Sequence, residues 1–279
     1  MDRPVYPTTR LSAGLLRWSS VALVTVIWLS AAFFGAYIVL YYAGAIVAGT
    51  PEQWNASLPG LFEPRTPAAT AGIAAHFAAG GILLLLGPVQ LFAVIRHAAP
   101  IVHRWVGRLY VVAALVAGLG GLTFIAVRGT IGGPAMDVGF GLYGVLTVVA
   151  AVQTARHARA RHHPGRLDRH RAWAIRLFAL AIGSWLYRIE YGFWFLATDG
   201  LGHTPTFDGW FDGVMDFFFY VPNLLVAEAA IRARARPDRP VAQLGSALLL
   251  VAATAFIALA TWEFAKRYWL PGIALRLGG

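Results

Sequence analysis

Ionisable side chains inside otherwise apolar stretches are the residues of this sequence with the clearest chemistry. His76, Arg188, Glu190 and Asp216 lie within long apolar segments. A charge in hydrocarbon is costly, so such groups are site candidates by default. Glu190 or Asp216 would supply the acid that a buried Arg188 needs. The plainer expectation is an ion pair locking two helices, with His76 bonded to a backbone carbonyl. A second set gathers near the ends of the segments. His103-Arg104-Trp105-Val106-Gly107-Arg108 opens one helix, and His170-Arg171-Ala172-Trp173-Ala174-Ile175-Arg176 opens another. Gln90, Arg96, Asn223 and Glu228 approach the same level from two further helices.

Three chemistries fit that second set. Two neutral imidazoles from facing helices can ligate haem iron axially, with Arg108 and Arg176 holding the propionates. The same groups can bind a quinone oxygen or an anionic head group. They can also relay protons. The plain alternative is interfacial Trp, snorkelling Arg and capping His. His97, His157, His162 and His163 read as loop residues, and His203 falls on the far side.

The elements that must hold these residues follow from composition. The chain has 279 residues, 58% apolar and only 13% charged. A soluble domain carries about 25% charged residues, so a soluble globular enzyme is excluded. Seven apolar stretches, near 19–47, 68–95, 107–127, 138–155, 173–197, 213–231 and 244–265, suit spanning helices of ~20 residues. None alternates with period two, as a membrane barrel would. The expectation is an all-α membrane protein, a bundle of about seven transmembrane helices forming a single integral membrane domain over 1–279. Residues 68–230, helices two to six, form its core. The first stretch is too long for a signal peptide and reads as an uncleaved helix.

The net charge of +10 comes from arginines in short connections. With alternating helices, most of the 23 basic residues fall on one side. The positive-inside rule then puts the N-terminus in the cytoplasm and the C-terminus outside, in a bacterial cytoplasmic membrane. Lys266, Arg267 and Arg276 run against the trend. This topology explains the basicity better than nucleic-acid binding, so the lipid bilayer is the expected partner, with other membrane-complex subunits as further partners. At 1.5 Å per residue, His76 sits roughly 12 Å and Arg188 and Glu190 roughly 10 Å below the outer ends of their helices.

Other patterns refine this. His76, Gly80, Leu83, Gly87 and Gln90 share one helical stripe, which suits close packing or a groove. Gly87-Pro88 should kink that helix near Gln90. Asn55-Ala56-Ser57 is formally a glycosylation sequon, but no secretory context supports it. The absence of Cys removes disulfides, thiolate metal sites and a Cys nucleophile. No His-Glu-x-x-His, Walker or Gly-x-Ser-x-Gly pattern occurs.

These residues also carry a family resemblance. His76…Gly80…Leu84…Gly87-Pro88-Val89-Gln90, then Arg96 and His103-Arg104-Trp105-Val106-Gly107-Arg108-Leu109-Tyr110, resemble the domain-of-unknown-function 2306 family of predicted bacterial membrane proteins. His170-Arg171-x-Trp173-x-x-Arg176, Arg188 and Val221-Pro222-Asn223-Leu224-Leu225-x-x-Glu228 fit the same pattern. The resemblance implies a multi-pass membrane protein of unestablished function. It marks His76, Gln90, His103, Arg108, His170, Arg176, Arg188, Asn223 and Glu228 as shared polar positions. The chain is more loosely similar to di-haem b-type cytochromes, but His76 lacks a second membrane-embedded His at its depth, so one haem b at most is expected.

Three functions remain open from sequence. One is a redox or electron-transfer protein holding haem b or quinone near the cytoplasmic face. The others are a non-catalytic lipid-binding or accessory subunit, and a small-solute or proton transporter.

Overall fold

The structure is a computed structural model describing residues 7–159, 165–235 and 240–277. Arg161, His162, His163 and Pro164 lie outside the described residues. The described residues form helices α1 (Pro7–Tyr37), α2 (Gly44–Val47), α3 (Pro67–Leu91), α4 (Ala93–Ala98), α5 (Pro100–Arg128) and α6 (Gly133–Arg159). These are followed by α7 (Arg166–Ala181), α8 (Gly183–Thr198), α9 (Trp210–Phe218), α10 (Val221–Ala235), α11 (Pro240–Phe264) and α12 (Leu270–Leu277). Helices α1, α3, α5 and α11 each begin at a proline, whose fixed φ suits the first turn and whose missing N–H costs nothing there.

Six spans are long and apolar enough to cross a membrane, and α7 with α8 makes a seventh, bent by 45°. The all-helical bundle expected from the sequence is therefore present. The outer helices pack as a ring: α1 against α3 and α11, α3 against α5, α5 against α6, α6 against α7 and α9, and α10 against α7 and α11. The bent α7–α8 pair touches α3, α6, α10 and α11 and so runs through the centre. Its Leu177, Trp185 and Ile189 are wholly buried. Large apolar side chains on the ring, such as Leu119, Leu225 and Leu248, are exposed, as a lipid-facing surface requires.

Three breaks modify the helices read from sequence. The stretch 173–197 is two helices rather than one. Tyr143 Oη donates to the Leu180 carbonyl at 2.7 Å, entering the backbone ladder where α7 ends. A side chain inserted there is an established cause of a bend. Gly183 makes room: a Cβ would lie 3.1 Å from the Tyr143 ring and 3.3 Å from that of Phe219. The stretch 213–231 also breaks, between α9 and α10, because Pro222 cannot donate to the preceding turn. Asn223 Nδ2 caps the break, donating to Phe219 O at 2.6 Å. Finally, α3 runs through Pro88 to Leu91 and stops at the extended Phe92 (φ −72°, ψ 120°), where the sequence led us to expect only a kink.

Of the stripe's glycines, Gly87 sits in a packing seam, where a Cβ would lie 3.0 Å from the Phe178 ring, while Gly80 has nothing within 4 Å; the seam with α5 lies one turn before His76, at Gly72. A Cβ on Gly72 would lie 2.8 Å from Gly120 O, so α3 and α5 approach to backbone contact. Asn55 is structural: its amide bonds both the carbonyl and the N–H of Phe62, at 2.9 and 2.8 Å. Arg128 pins the same loop by donating to Gly60 O and Thr66 Oγ1.

Candidate functional site

At the arginine-bearing end, α3, α5 and α7 bring three predicted residues together. Helix α5 begins at Pro100, earlier than its apolar stretch, so His103 sits in its first turn. Gln90, in the last turn of α3, faces it. Two backbone groups fix the Gln90 amide: its NH2 donates to the His103 carbonyl (3.3 Å), and its oxygen accepts from Gly107 N (3.3 Å). In that orientation the NH2 also donates to His103 Nδ1 at 3.1 Å. The close approach needs Gly107, since a Cβ there would meet the Gln90 amide at 3.1 Å.

His170 lies near enough to His103, together with Arg96, to act on its charge. His170 Nδ1 bonds the Thr154 carbonyl of α6 at 3.1 Å. A carbonyl only accepts, so this nitrogen carries the proton. The two rings thus differ. Neutral His170 has a bare Nε2, whereas neutral His103, accepting at Nδ1, has an Nε2–H.

The other residues of this set are engaged elsewhere. Arg176 donates to Glu228 Oε2 through Nη2 (2.7 Å) and Nε (3.1 Å), and Arg232 Nε bonds Glu228 Oε1 at 3.1 Å. Arg176 therefore already has a counter-charge. Its guanidinium also lies 5.1 Å from the Trp173 ring centre. Arg108 stacks on Trp105 at 4.6 Å, and that Trp is 63% exposed, as an interfacial anchor would be. Asn223 serves its own helix break. Among the described residues, no group of three or more His, Asp or Glu is arranged to hold a metal ion.

The second set does not assemble as expected. Arg188 and Glu190 are two residues apart on one helix, about 200° around its axis, so they face opposite ways. Among the described residues Arg188 makes no ion pair with Glu190 or Asp216. Its Nη1 donates to Ser184 O at 2.5 Å, and its guanidinium lies 5.0 Å from the Phe34 ring centre. The expected ion pair between helices five and six is thus replaced by neutral contacts. Glu190 Oε2 and Asp216 Oδ1 are buried and lack a hydrogen-bond partner among the described residues. His76 takes the plain option, with Nδ1 donating to Ala117 O at 2.9 Å. It nevertheless shares a small cavity with Arg188.

Sequence reasoning missed a third set at the opposite end. Asp212, wholly buried in the first turn of α9, accepts four bonds. Oδ1 takes Tyr191 Oη (2.6 Å) and His203 Nδ1 (2.7 Å). Oδ2 takes the backbone N–H of Thr204 (3.0 Å) and Gly209 (2.9 Å). The sequence signal was an acid three residues after Gly209, the reach-back position of a helix start. In the neighbouring loop, hydrogen bonds from Thr204 and Thr206 hold the Asp208 carboxyl below the usual carboxylate range.

A bundle of six or seven helices long and apolar enough to cross a membrane defines a multi-pass integral membrane protein. The chain belongs to the DUF2306 family of predicted membrane proteins, whose model matches residues 73–231. That span covers α3 to α10 and so contains all three polar sets. No curated protein and no solved structure matches the chain.

Proposed function

We propose that this membrane protein binds a quinone or quinol head group at the arginine-bearing end, between His103 and His170. The observation that carries this reading is the different partner of each Nδ1, the Gln90 amide for His103 and the Thr154 carbonyl for His170, from which opposite tautomers follow. A quinone carbonyl accepts a hydrogen bond, which His103 Nε2–H would supply. A quinol hydroxyl donates one, which the bare Nε2 of His170 would take. An axial haem pair needs a bare Nε2 on both rings, each with Nδ1–H held by an acceptor. His170 meets that requirement and His103 does not, which favours quinone over haem. Arg176, paired with Glu228, would shape the rim without providing an anion site. In this reading the end bearing the site is cytoplasmic.

A second reading is an accessory lipid-binding role, favoured by Arg108 lying over the exposed Trp105. A cation beside an interfacial ring suits an anionic phospholipid head group.

The test is a titration of the purified protein with a short-chain quinone, followed by quenching of tryptophan fluorescence. Trp173, one turn from His170 on α7, is the reporter. Saturable quenching that His103→Leu or His170→Leu weakens at least tenfold is expected. Equal quenching of wild type and both variants would overturn the reading.

A further inference from the structure

Beyond the head-group site, we propose that Arg188 and His76 border a binding site for one small monovalent inorganic anion of chloride size. Arg188 lies in the middle of α8, ten residues or about 15 Å from its Thr198 end, and farther from the start of α7. It is too deep to reach either interface easily. An arginine at that depth normally has a carboxylate partner. Among the described residues Arg188 has none, and its contacts are the neutral Ser184 carbonyl and the Phe34 face. Its positive charge therefore has no fixed counter-charge in this part of the bundle.

The second observation is space in the right place. A cavity of about 20 Å³ lies between α1, α3 and α8, bordered by Phe34, His76, Gly80, Ser184 and Arg188. That exceeds the ~10–15 Å³ needed for one water, and the site is polar on two sides. It is too small for an organic anion. His76 is held in place by donating from Nδ1 to Ala117 O, so its Nε2 is bare and only borders the space, and Arg188 supplies both the charge and the donors. Gly80 keeps the wall open, since a Cβ there would meet nothing within 4 Å. A branched side chain at position 80 would take up cavity space, and its Cβ strikes no neighbour.

The experiment uses the full chain purified in detergent. Its melting midpoint is followed while sodium gluconate is replaced by sodium chloride at fixed ionic strength and pH. A ligand that binds only the folded state raises the midpoint saturably. The expected result is a saturable rise with chloride in wild type, lost in both Arg188→Gln and Gly80→Val. Arg188→Gln removes the charge and Gly80→Val removes the space, so neither result depends on the other variant folding. A wild-type midpoint equal in the two salts would overturn the site, as would a chloride-dependent rise that persists in either variant. Quinone binding at the other end is unaffected by either outcome, so the two proposals fail separately.

Discussion

Replacing Asp212 by Leu and by Asn should give two clearly different losses of stability. The carboxylate accepts two bonds on each oxygen, and its two sets of donors differ in kind. Tyr191 Oη and His203 Nδ1 on Oδ1 are adaptable. The hydroxyl can rotate to accept, and the imidazole can change tautomer. The backbone N–H groups of Thr204 and Gly209 on Oδ2 have no such freedom. Asn can keep its oxygen toward the backbone and turn its NH2 toward Tyr191 and His203. It then loses only charge assistance, about 1–2 kcal/mol for the set. Leu strands both backbone donors, each costing about 1–3 kcal/mol when buried, so a total near 4 kcal/mol follows. Chemical unfolding in mixed micelles, read by tryptophan fluorescence, measures both. Trp194, stacked 4.3 Å from Phe211, and the adjacent Trp210 report on this end. Losses for the two variants within about 1 kcal/mol of each other would refute the argument that the backbone bonds dominate.

Other expectations follow from the same structure. Gly120→Ala should cost about 1–3 kcal/mol, because the new Cβ would press on α3 backbone, 3.2 Å from His76 N. Gly141→Ala, with nothing within 4 Å, should stay within about 0.5 kcal/mol, and thermal melts of the pair check this. A double-mutant cycle on Arg176→Gln and Glu228→Gln should give a coupling near 1 kcal/mol, since both groups are 28% exposed. A coupling indistinguishable from zero would leave the pair with no measurable role in stability. The chain has no Cys, so single cysteines can report topology. Arg65→Cys should label from outside intact cells and Arg104→Cys only after permeabilisation. The reverse pattern would invert the proposed orientation.

The spans were legible because hydrocarbon thickness imposes a length and apolarity that few other constraints mimic. The breaks were less so. The bend between α7 and α8 depends on Tyr143, 37 residues from Leu180 in sequence, and no local pattern announces it. The α9–α10 break was readable from Pro222 alone. The pairing of Gln90 with His103 was visible only as a shared level, since their contact requires Gly107 to let α3 and α5 close. Arg188 and Glu190 illustrate the converse. Equal depth suggested partnership, while helical rotation of about 200° forbids it. The Asp212 set was hidden because its members come from a helix, a loop and a helix start, at positions 191, 203–209 and 212.

The most direct test of the head-group site is to extract and count the isoprenoid quinone that co-purifies with the protein, alongside a dithionite-reduced-minus-oxidised visible spectrum. Close to one quinone per wild-type chain is expected, lost in His103→Leu, with no b-type α-band. A wild-type chain that carries no quinone, or shows a stoichiometric b-type band, would contradict the proposed site.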